Sequence, residues 1–144
     1  MKVVVDTNIV FSAILNSHNW IGQILLYSGN TTKFYSPKYL QVEIQNHIEK
    51  IRKISSLNDS EINELVQILY TKINFISDEL IPKEMLKKAD FLTKDVDFDD
   101  VMFVALSLHL ECKLWTGDKS LIKGLIQKGF RNFISTQELK ERLI

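Results

Sequence analysis

The chain has 144 residues, with 18 Lys+Arg against 18 Asp+Glu, three His and one Cys, which is one domain's worth of sequence. A hydrophobic share of 45% with 25% charged residues excludes intrinsic disorder, and a lone cysteine excludes a disulfide framework or a Cys-rich metal site. Apolar runs such as Val3 to Val5 are far shorter than the ~18–20 residues of a membrane span, and Asp6 interrupts the first run too early for a signal peptide, so a cytoplasmic protein without a membrane partner is expected.

Lys2 to Val5 is a β-branched run with the composition of a strand buried on both faces. Thr7 or Asn8 then caps a helix over Ile9 to Leu15. Ile21, Ile24, Leu25 and Tyr27 mark a second helix that ends near Gly29. Lys33 to Ser36 reads as a second strand, and Pro37 opens a helix at its first turn, where a missing N–H costs nothing. Leu40, Ile44, His47, Ile48 and Ile51 carry that helix on at spacings of three and four.

Asn58-Asp59-Ser60 caps a helix with Ile62, Leu65, Val66, Leu69 and Ile73 on one face. Asn74 to Ser77 is a third strand and Pro82 to Leu92 an amphipathic helix. Asp99 or Asp100 begins an apolar helix through Leu110. Lys113 to Thr116 is a fourth strand, Leu121 to Gln127 a helix, Phe133 to Ser135 a fifth strand and Thr136 to Leu143 a last helix. Strands separated by helices predict an α/β chain, a single domain over 1–144 with three α/β/α layers around a mainly parallel sheet of about five strands.

In such a sheet the strand carboxyl ends open on one edge, and ligands bind there. Asp6 ends the first strand, and Asp118 follows the fourth with Gly117 between. At least one acid of Asp97-Phe98-Asp99-Asp100 can face the same edge, and Glu43 lies early on the helix after the second strand. Taken singly, each is as well explained as a helix cap, a turn residue or a surface carboxylate. Together they form a group that cannot stay ionised without a cation. Mg²⁺ or Mn²⁺, one or two ions, suits oxygen ligands beside a substrate phosphate, and such ions activate water and stabilise in-line displacement at phosphorus. The chemistry indicated is metal-dependent phosphodiester cleavage.

The combination resembles the PIN-domain family over nearly the whole chain. Val3-Val4-Val5-Asp6-Thr7-Asn8 is similar to its first motif and Tyr39-Leu40-Gln41-Val42-Glu43-Ile44 to its second. Asp97 to Leu106 is similar to the third, and Leu114-Trp115-Thr116-Gly117-Asp118-Lys119-Ser120-Leu121 to the fourth. The resemblance implies a Mg²⁺- or Mn²⁺-dependent endoribonuclease acting on RNA, often the toxin of a type II toxin–antitoxin pair and usually a homodimer. It implies Asp6, Glu43, Asp100 and Asp118 as the catalytic and metal-binding quartet, with Asp97 as the alternative third ligand. It further implies Thr7, Asn8 and Thr116 as substrate-positioning groups. Ser120 departs from the pattern, standing where a further acid often follows.

Other residues carry weaker signals. Glu43 and His47 share a helix side as in some zinc motifs, but no second histidine lies near, so zinc is disfavoured. Cys112 reads as a small junction residue, not a nucleophile. Lys38, Lys50, Arg52, Lys53 and Lys119 are candidate flanks of an RNA groove. The zero net charge argues against nucleic acid only until four acids are assigned to a metal site, which leaves 18 bases against 14 acids. A catalytically silent PIN-like module that binds RNA or a protein partner is the alternative. A receiver-type phosphoacceptor is disfavoured, because a single aspartate followed by Thr7-Asn8 ends the first strand.

Overall fold

The computed structural model describes residues 1–94 and 98–143. Among them, four parallel strands form one sheet in the order β3-β2-β1-β4: β1 Lys2–Val5, β2 Lys33–Pro37, β3 Ile73–Ile76 and β4 Lys113–Trp115. β1 lies between β2 and β4, with Val3 opposite Phe34 and Val5 opposite Trp115. Successive strand side chains point to opposite faces, yet Val3, Val4 and Val5 are all fully buried. Both faces of the sheet are therefore covered, as the unbroken valine run predicts.

The helices that cover it are α1 Thr7–Leu15, α2 Trp20–Tyr27, α3 Tyr39–Asn46, α4 Ile48–Ile54, α5 Asp59–Thr71, α6 Lys83–Thr93, α7 Val101–Leu110, α8 Lys119–Gln127 and α9 Thr136–Leu143. α7 packs on β1, β2 and β4 and against α6, while α1 packs against α2, α3, α4 and α5. α7 can sit centrally because it is apolar all round, burying Phe103, Val104, Ala105 and Leu106. It ends at Glu111, which takes the left-handed conformation (φ 52°, ψ 47°) that closes many helices. The α/β class and the parallel sheet are as expected. No helix among the described residues is long and apolar enough to cross a membrane.

Four expectations need correction. Phe133 to Ser135 is not a fifth strand: it touches the sheet through one bridge, Leu114 to Phe133. Ser135 stops it, because its hydroxyl accepts from the Glu138 N–H and its own N–H donates to the Glu138 carboxylate, a reciprocal cap that starts α9. Pro37 ends β2, paired in register with Ile76, and does not open the helix, which starts at Tyr39. The single helix expected through Ile51 is two, α3 and α4, broken at His47. The cap of α1 is Asp6, not Thr7 or Asn8, and both of those residues are helical.

Candidate functional site

β1 has β2 on one side and β4 on the other, so the chain reverses its order of strand addition there. Crevices of this kind form at the strand carboxyl ends. A cleft of about 230 Å³ opens at this point, lined by Asp6, Thr7, Asn8, Phe11, Glu43, His47, Lys50, Asp100 and Asp118.

Asp6 leaves β1 with its N–H still bonded to the Trp115 carbonyl at 3.0 Å, which holds it beside β4. Its Oδ1 accepts from the Thr7 N–H at 2.8 Å, and its Oδ2 accepts from the Thr116 hydroxyl at 2.7 Å. The Thr116 oxygen in turn accepts from the Asp118 N–H at 3.1 Å and from the Asn8 side-chain amide at 3.3 Å. Asn8 accepts from the Gly117 N–H at 3.2 Å. Asp118 caps α8, its carboxylate accepting from the Leu121 N–H at 3.0 Å. Glu43 comes from the first turns of α3 and accepts a hydrogen bond from the Thr7 hydroxyl. Asp100 closes the short 3₁₀ turn Phe98–Asp100 and stands, buried, at the N-cap position of α7.

Asp6 is 4% exposed. Burial is the main cause that pushes its carboxyl up to about 6. The Thr116 and Thr7 hydrogen bonds pull it back down, while the charges of Glu43 and Asp118 push it further up. Asp6 therefore feels the charges of both Glu43 and Asp118. Among the described residues no three His, Cys, Asp or Glu form a ready-made metal cage. The carboxylates lining the cleft nonetheless offer only oxygen donors, and a magnesium-like ion takes one or two of these and completes its shell with water and substrate phosphate. The donor set thus fits a hard divalent cation, which would relieve the repulsion around Asp6.

The cleft therefore gathers Asp6, Glu43, Asp100 and Asp118 with Thr7 and Asn8, and Thr116 lies directly behind Asp6. Asp97 lies outside the described residues, and Asp99 is exposed and not in the lining. Of the groove cations, Lys50 alone lines the cleft; Lys38, Lys53 and Lys119 do not. The Arg52 guanidinium is taken up by Glu49 and Asp59 on the surface. Cys112 is buried elsewhere, its thiol pushed up by that burial. Two lining residues had no site role from the sequence. Phe11 sits one helical turn beyond Thr7 and Asn8, a spacing that places it on their side of α1, and His47 was visible only as the i+4 neighbour of Glu43.

A family model described as PIN domain matches residues 4–140. No curated protein matches the chain. Among solved structures, it is similar to PAE2754 from Pyrobaculum aerophilum, with a TM-score of 0.71 and 12% identity over 99% of this chain and 95% of that one. It is similar to VapBC2 from Rickettsia felis bound to a DNA fragment from their promoter, with a TM-score of 0.68 and 15% identity over 94% and 97%. A toxin–antitoxin complex from Klebsiella pneumoniae gives 0.63 and 13% over 93% and 97%. At such identities the shared property is the fold. A parallel sheet whose strand ends deliver Asp6 and Asp118 to one cleft, in a chain that the family model spans almost end to end, belongs to the PIN-domain family.

Proposed function

We propose that the chain is a single-domain, divalent-metal-dependent endoribonuclease of the cytoplasm, and the toxin component of a type II toxin–antitoxin system. The observation that carries the reading is that Asp6, Glu43, Asp100 and Asp118 line one cleft at the strand carboxyl ends. PIN domains are generally nucleases, and two relatives in fold are a VapBC2 assembly and a toxin–antitoxin complex. These support a cognate antitoxin as partner, and the homodimer expected from the sequence resemblance is part of the same reading.

In this reading the four carboxylates hold Mg²⁺ or Mn²⁺, which when bound supplies Lewis-acid polarisation of phosphate and a lowered pKa for water. The chain's own residues do the rest. Thr116 and the Thr7 N–H fix both oxygens of Asp6. Thr7 fixes Glu43, and Asn8 holds the loop at Gly117 against the first turn of α1. Such outer hydrogen bonds orient ligand oxygens before an ion arrives.

Purified protein incubated with single-stranded RNA is the test. Cleavage is expected with Mg²⁺ or Mn²⁺ and is expected to disappear with chelator and in Asp6→Asn. Full activity in Asp6→Asn would overturn the mechanism. Intact RNA under all divalent conditions would leave the silent RNA- or partner-binding module.

A further inference from the structure

A cleft rich in carboxylates repels the phosphates of RNA, so part of its affinity must come from groups that are not acids. Three lining residues answer to that need. Lys50 carries a positive charge into the lining, and its ammonium lies over the Phe11 ring, 5.5 Å from the centroid. That cation–π contact holds a flexible side chain at the cleft. His47 stands at the break between α3 and α4, exposed, with its ring 6.3 Å from Phe11 at an interplanar angle of 79°. The two rings thus offer planes in two directions, so a base stacked on one meets the other edge-on.

We propose that Phe11, His47 and Lys50 form a one-nucleotide subsite of the cleft, with Lys50 on a backbone phosphate and His47 under an unstacked base. Such a subsite holds one nucleotide of a single-stranded segment. This rests on the nuclease reading above and deepens it. The physical reason is access. Bases within an A-form duplex have both faces covered by their neighbours, and its deep major groove admits no side chain, whereas single strands present free faces to aromatic residues. Stacking is also far less sensitive to the charge of the cleft's carboxylates, whereas a purely ionic subsite would be opposed by it. Phe11 acts through Lys50 and His47 as a positioning residue.

Binding is measured with the Asp6→Asn protein, so that RNA survives, by fluorescence anisotropy of a labelled single-stranded oligoribonucleotide in Mg²⁺. Adding His47→Ala is expected to weaken binding about tenfold, and His47→Phe to restore it. Lys50→Gln is expected to weaken binding and to lower the slope of log Kd against log salt by about 0.7. A duplex of the same sequence should bind more weakly and ignore His47→Ala. Unchanged affinity in His47→Ala, equal losses in His47→Ala and His47→Phe, or a preference for duplex would overturn the subsite. Wild-type cleavage, measured in parallel, judges the nuclease reading alone. Binding differences without cleavage keep the subsite and remove the nuclease, and cleavage without binding differences does the reverse.

Discussion

The Thr116 hydroxyl donates to Asp6 Oδ2 at 2.7 Å across 110 positions of chain. The same oxygen accepts from the Asp118 N–H and from Asn8, so one hydroxyl ties Asp6, Asn8 and Asp118 together. Replacing it with a methyl in Thr116→Val removes a hydrogen bond that holds the Asp6 carboxyl down and leaves two donors without their acceptor. Cleavage should fall about 10- to 100-fold, with Thr116→Ser close to wild type. Single-turnover rates for the two variants check this, and equal rates in Thr116→Val and wild type would contradict it.

The Asp6 carboxyl, raised from 3.8 to about 6 in the fold, makes metal-free stability depend on pH. Folding favours the protonated form. The stabilisation is complete below pH ~4 and is lost as pH rises through about 6. Asp6→Asn never ionises and should lack this loss, ending about 3 kcal/mol ahead at pH 8. Melts in chelator from pH 4 to 8 measure it. Adding Mn²⁺ at pH 7.5 should then raise the melting temperature of the wild type and leave Asp6→Asn unmoved.

Asp118 does two jobs that one pair of substitutions separates. Its carboxylate caps α8, and asparagine caps a helix as well as aspartate does. Asp118→Asn should therefore keep stability while losing the Mn²⁺-induced melting shift. Asp118→Ala should lose that shift and about 1 kcal/mol besides. A Mn²⁺ shift of wild-type size in Asp118→Asn would remove this residue from the metal site.

Glu111 closes α7 with a left-handed backbone at φ 52°, where a side chain crowds the following carbonyl. Glu111→Gly relieves this and should stabilise the fold by about 1 kcal/mol, a rise of about 3 °C in Tm. Because the residue is exposed and outside the cleft, cleavage should not change. Thermal melts of the two proteins decide it, and a lower Tm would show that the turn needs the glutamate.

Much of the frame was legible because it rests on local rules. Three adjacent valines announce a strand covered on both faces, and Asn58-Asp59-Ser60 announces the cap found at the start of α5, where Asn58 accepts from the Glu61 N–H. The convergence of Asp6 and Asp118 follows once β1 and β4 are neighbours, since parallel strands open on one edge. What escaped depends on contacts that spacing does not encode. Leu40, Ile44, Ile48 and Ile51 keep a helical rhythm straight through the break at His47, so periodicity alone joins α3 to α4. Phe11 carries no signal in the sequence, and only the cleft geometry shows its ring beneath Lys50. Arg52 reads as a groove cation until Asp59, from the next helix, occupies it.

β4 is the last strand of the sheet to be synthesised, and it pairs with the first. A ribosome-bound chain that has emerged only as far as β3 carries Asp6 and Glu43 but neither Thr116 nor Asp118. Sheet closure and completion of the cleft are thus one event, reached only once β4 has been made. A half-made copy of this protein holds only part of the cleft on which the proposed nuclease reading depends.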